Sequence, residues 1–119
     1  SPSLTNARSL AVYHTDPLPT STVKAPDDYW VRPEGKNIVM GVFEGSKGEQ
    51  FIVLGNRDIG SQNEVIVNFS GKVKSIQLMN KQNREWKAVG LIKTDQAKSH
   101  FKLKIKQGDA ELIKVVVSE

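Results

Sequence analysis

Phe101, Leu103 and Ile105 alternate with Lys102, Lys104 and Lys106, and this period of two constrains the fold more than any other feature of the chain. Apolar side chains at every second position put one face of an extended segment in a core and the other in water. Gln107-Gly108-Asp109 follows, with residue types that accept turn dihedrals. A second apolar run then extends from Leu112 to Val117. The pattern predicts two strands closing on each other as a hairpin, the second of them deep in a β domain.

The same texture runs through everything after Lys36. Strands are predicted over 37–44, 50–56, 64–69, 73–79 and 85–89, separated by short polar or glycine-containing turns. In 37–44, Ile38, Met40 and Val42 share one face. Phe51-Ile52-Val53-Leu54 is apolar on both faces, as a central strand covered on each side would be. Val65, Val67 and Phe69 alternate with Glu64 and Asn68, and Ile76 is the candidate core residue of its segment. Asp95 to Ser99 is expected to form a single helical turn, and no longer helix-period stripe exists.

All five prolines fall in residues 1–35, and none follows. Proline fixes φ and removes a backbone donor, so this region cannot supply a run of central strands. One short strand is predicted at 9–14. The rest of 1–35 reads as a proline-rich lead-in laid over the sandwich of 36–119 and anchored by Tyr29-Trp30. Seven strands after residue 36 and one before it, joined by small polar turns, indicate an all-β protein. The class expected is an immunoglobulin-like antiparallel β-sandwich of seven to eight strands.

The length, 119 residues, fits one domain. Hydrophobic residues make up 38% and charged residues 25%, a globular rather than a disordered composition. No apolar run approaches the ~18 residues of a membrane span. With no cysteine, disulfides and thiolate chemistry are excluded. The chain starts at Ser1 without a methionine, as expected of a processed product or a piece of a longer protein.

The net charge of +4 is uneven, because residues 71–106 alone carry ten basic and two acidic side chains. Such a segment could attract polyanions. Its lysines, however, stand singly between apolar residues, as on a solvated sheet face where they also discourage edge pairing. No aromatic-studded motif accompanies them, so nucleic acid is not an expected partner.

Catalytic chemistry finds little to stand on. His14 and His100 are the only histidines, and His14 with Asp16 makes one weak pair where a metal centre needs three or four clustered ligands. No Gly-x-Ser-x-Gly elbow or phosphate-cradling glycine loop is present. Asp27-Asp28, Asp58 and Asp109 sit in predicted turns, where aspartate caps its own backbone. Asn68-Phe69-Ser70 fits the N-glycosylation pattern but lies within a predicted strand. No catalytic residue, metal or cofactor is expected. Tyr29, Trp30 and Trp86 are the candidate carbohydrate-binding residues, since flat apolar rings can stack on sugars. The competing expectation has Tyr29-Trp30 pinning the lead-in and Trp86 packing over the sandwich edge.

Met40-Gly41-Val42-Phe43-Glu44, Lys47-Gly48 and Phe51 to Asp58, ending in Asn56-Arg57-Asp58, form a pattern with Glu85-Trp86 and the closing Gly108-Asp109. Together they resemble the C-terminal accessory β-sandwich domains of bacterial glycoside hydrolases, and the similarity covers most of the chain. Val12-Tyr13-His14-Thr15 with Leu18-Pro19 resembles the segment that leads out of the catalytic barrel. One departure is Gln107, where the family often has proline. The resemblance implies a non-catalytic accessory domain of a secreted, periplasmic or cell-surface bacterial enzyme, and a monomer is expected. It would pack on the catalytic domain of the same polypeptide through an apolar surface built largely from residues 9–33. The alternative is a carbohydrate-binding module using the exposed aromatics.

Overall fold

Val65, Val67 and Phe69 follow one another at period two, and all three are buried on one face of a strand. Repeated along the chain, that pattern builds an antiparallel β-sandwich. The computed structural model describes residues 6–71, 73–95 and 97–117. In chain order the strands are β1 (Arg8–His14), β2 (Val31–Glu34), β3 (Ile38–Glu44), β4 (Gln50–Asn56) and β5 (Asn63–Ser70). They continue with β6 (Val73–Met79), β7 (Trp86–Val89), β8 (Ile92–Asp95), β9 (Lys98–Ile105) and β10 (Ala110–Val117). A six-stranded sheet has the order β1-β3-β4-β10-β6-β7, and a four-stranded sheet the order β2-β5-β9-β8.

The inner faces meet in one core. Ile38, Met40, Val42, Ile52, Leu54, Ile76, Ile113 and Val115 come from the larger sheet. Val31, Val65, Val67, Phe69, Phe101 and Ile105 come from the smaller. Burying each such side chain contributes about 1.5–3 kcal/mol. The strand expected to be central, β4, is central, and so is β10.

The eight expected strands are joined by two short ones. β2 lies inside the proline-rich lead-in. It is an edge strand pairing only with β5, the position in a sheet where Pro33 is tolerated. The lead-in therefore adds an edge strand to each sheet, β1 to the larger and β2 to the smaller. β8 is an edge strand of four exposed residues, so it carries no burial alternation to read. Where a single turn is expected at 95–99, Asp95 ends β8, and Lys98 and Ser99 belong to β9. Gln96 lies outside the described residues, and the Asp95 carboxylate caps the Ala97 amide at 2.7 Å.

The closing hairpin is not one. β9 pairs with β5 and β8, whereas β10 pairs with β4 and β6. Gln107-Gly108-Asp109 thus carries the chain from one sheet to the other. Gly108 takes a φ of +65° there and donates its amide to the Asp58 carbonyl at 3.0 Å. Alternation assigns side chains to faces, not strands to neighbours.

Candidate binding surfaces

The lead-in's aromatic pair closes the side of the sandwich between β1 and β2. The Tyr29 amide donates to the Pro26 carbonyl at 3.0 Å, and the Trp30 carbonyl accepts from the Ser70 amide at 2.9 Å. These backbone bonds present the rings to a continuous aromatic series. Tyr13 meets Tyr29 edge-on at 5.0 Å, Tyr29 lies 6.3 Å from Trp30, and Trp30 stacks on Phe69 at 6.1 Å. Tyr29 and Trp30 are half-buried and pack on the core. Burial raises the pKa of the Tyr29 hydroxyl, against a lowering hydrogen bond with Trp30.

Trp86 stands apart from them. It projects from β7, at the opposite edge of the larger sheet from β1. Its indole crosses the outer face to stack on Phe51 at 5.9 Å, with the Lys114 ammonium 5.8 Å from the ring centre. Phe51 is only 1% exposed yet belongs to no part of the inter-sheet core. The fold therefore brings Tyr29 and Trp30 together and leaves Trp86 on another surface.

Asn56-Arg57-Asp58 is a structural knot at the end of β4. The Asn56 amide nitrogen donates to the carbonyls of Ser61, Ile105 and Lys106 at 2.8, 3.1 and 3.3 Å. Its oxygen accepts from the Asp58 amide and the Asn63 side chain, both at 2.9 Å. One nitrogen of Arg57, Nη2, donates to the Thr15 and Pro17 carbonyls at 2.7 and 2.9 Å, tying the lead-in to the sandwich. The Asp58 carboxylate caps Gly60 at 2.8 Å. Asp109 caps Ala110 at 2.8 Å and pairs with Lys81 at 2.6 Å.

An open cleft of about 550 Å³ lies between the 15–27 segment and β2. Lys24, Asp27, Arg32, Glu34, Lys36 and Asn68 are among its walls. Lys24 pairs with Asp16 at 2.7 Å, so Asp16 serves a lysine. The Asn68 amide donates to Glu34 at 2.7 Å, and Arg32 donates to the Ser70 hydroxyl at 3.2 Å. Burial, and secondarily the Arg57 charge, lower the pKa of His14. Its imidazole is therefore neutral near pH 7. Among the described residues no three His, Cys, Asp or Glu side chains cluster so as to hold a metal.

Apolar exposure is concentrated in the lead-in. Of seven large hydrophobic residues exposed among the described residues, four are Leu10, Val12, Leu18 and Val23. A bulge between Ser9 and Ala11 in β1 accompanies this, with Ala11 and Tyr13 packed on the core while Leu10 and Val12 are exposed. Val23 lies alongside, its carbonyl accepting from the His14 amide at 2.9 Å. Among the described residues no helix is long and apolar enough to cross a membrane. Compared with known proteins, the chain matches no family model, no curated protein and no solved structure.

Proposed function

We propose that this chain is a non-catalytic accessory sandwich that packs against the catalytic domain of its own polypeptide, in a secreted or periplasmic carbohydrate-active enzyme of a bacterium. The observation that carries the docking is the exposed aliphatic set Leu10, Val12 and Val23 on and beside edge strand β1, with Leu18 exposed in the segment that follows the strand. Exposed apolar residues gathered on one side of a domain mark an interaction surface. The enzyme context stands on the resemblance of Asn56-Arg57-Asp58 and its companion motifs. Arg57's grip on Thr15 and Pro17 gives that motif a role suited to such a domain, because it fixes the lead-in. The alternative, a glycan platform on Tyr29, Trp30 and Trp86, draws less support, since these half-buried rings are committed to Phe69 and Phe51.

The test separates the two parts of the polypeptide and mixes them. The isolated chain should bind the remainder of its polypeptide in calorimetry. Val12→Asp combined with Val23→Asp should abolish that heat while leaving the isolated domain's own melting temperature nearly unchanged. Association that survives both substitutions, or none with the unsubstituted chain, sinks the reading.

A further inference from the structure

The outer face of the four-stranded sheet carries cations that neither packing nor edge protection explains. Lysines commonly guard edge strands against pairing with other chains. β9 is not an edge strand, because β5 and β8 flank it. Phe101 and Ile105 point into the core, so Lys98, His100, Lys102 and Lys104 point outward at two-residue steps, each step about 6.8 Å. Register sets Lys102 beside Ile66 and Lys104 beside Glu64. Arg32, Asn68 and His100 form a row across β2, β5 and β9. None of Arg32, Lys98, Lys102 and Lys104 has a carboxylate oxygen within 4.0 Å among the described residues, although Glu34, Glu64 and Asp95 are nearby in register. Lys104 faces Glu64 and Lys98 faces Asp95 in register without closing an ion pair, so the cations stay open to a ligand.

We propose that this face binds an acidic glycan. Arg32, Lys98, Lys102 and Lys104 take its carboxylate or sulfate groups, and Asn68 and Glu34 take hydroxyls. A guanidinium suits planar, two-point capture of such an anion. Arg32, Glu34 and Asn68 also wall the cleft, so a sugar chain crossing the sheet continues into a recess. The absence of stacking rings argues against nucleic acid as the occupant. Phe69 and Phe101 point inward, and Trp86 and Phe51 lie on the other sheet. The inference uses none of the residues of the docking surface and stands independently of it.

The experiment titrates the whole chain with an oligogalacturonate, a heparin-type oligosaccharide, a neutral cello-oligosaccharide and a single-stranded oligonucleotide, at low and at moderate salt. One or both acidic sugars should bind, with affinity falling steeply as salt rises, and the better of the two distinguishes carboxylate from sulfate recognition. The neutral sugar should not bind, and the oligonucleotide should bind more weakly than the preferred acidic sugar. Lys102→Gln with Lys104→Gln should weaken binding roughly a hundredfold, about tenfold for each charge-assisted hydrogen bond removed. Lys74→Gln with Lys87→Gln, on the other sheet, removes equal net charge and should change affinity less than about threefold, the modest effect of general field alone. Equal losses in the two double variants, tighter binding of the oligonucleotide, or no binding of either acidic sugar would each overturn the proposal.

Discussion

Asn56 holds one of the few buried polar side chains of the described molecule, and both ends of its amide are used. Removing it strands several backbone carbonyls and one amide in the interior, at roughly 1–3 kcal/mol for each group left without a partner. Asn56→Ala should therefore lower the unfolding free energy by about 3 kcal/mol or more, read as a shift of the urea midpoint. Asn56→Asp should be worse still, because an oxygen would replace the nitrogen that faces three carbonyls. A midpoint within error of the parent would show that the knot is dispensable. The motif was visible in the sequence, but its purpose was not, since Ile105 and Lys106 reach Asn56 only through the fold. His14 makes the pH prediction. Its pKa is lowered in the folded chain by burial and then by Arg57, while the unfolded chain protonates near 6.5. The unfolded state binds the proton first, so His14's contribution is full above about pH 6.5 and is lost progressively as pH falls from there toward the folded pKa. The melting temperature should decline over that window, and His14→Gln should flatten the decline. An equal slope in the variant would place the cause elsewhere.

Between elements, the informative case is the cover on β4. Phe51-Ile52-Val53-Leu54 is apolar on both faces, and that much announced a buried central strand. What covers Phe51 was not legible, because the lid is Trp86, delivered from β7 at the far edge of the sheet. Phe51→Ala should cost about 3–5 kcal/mol, a core-sized penalty despite its place outside the inter-sheet core. Trp86→Ala, at a half-exposed ring, should cost less. The pair should show a coupling of about 0.5–1.5 kcal/mol in a double-mutant cycle by chemical denaturation. Strict additivity of the two losses would mean the rings do not support each other. The strands missed in the sequence, β2 and β8, are both short edges. One contains Pro33 and the other buries nothing, so neither periodicity nor composition marks it.

At the scale of the molecule, faces were legible and neighbours were not. Alternation in 64–69 and 101–105 named buried residues correctly, since inward placement depends only on parity along a strand. Pairing depends on which distant segment lies beside it, and at Gln107-Gly108-Asp109 a tight turn signal hid a crossing between sheets. The candidate surfaces suffered the same limit. Tyr29 and Trp30 are adjacent in sequence and meet in space, whereas the row of Arg32, Asn68 and His100 exists only because β2, β5 and β9 align. The crossing at Gly108 also bears on the order of assembly. β10 is the last of the ten strands and stands between β4 and β6. Before it arrives, the larger sheet is two fragments, β1-β3-β4 and β6-β7, with no hydrogen bonds between them. On a ribosome making the chain from its N-terminus, the sandwich therefore lacks the link between its halves, with β4 and β6 each offering a bare edge, until β10 has emerged to join them.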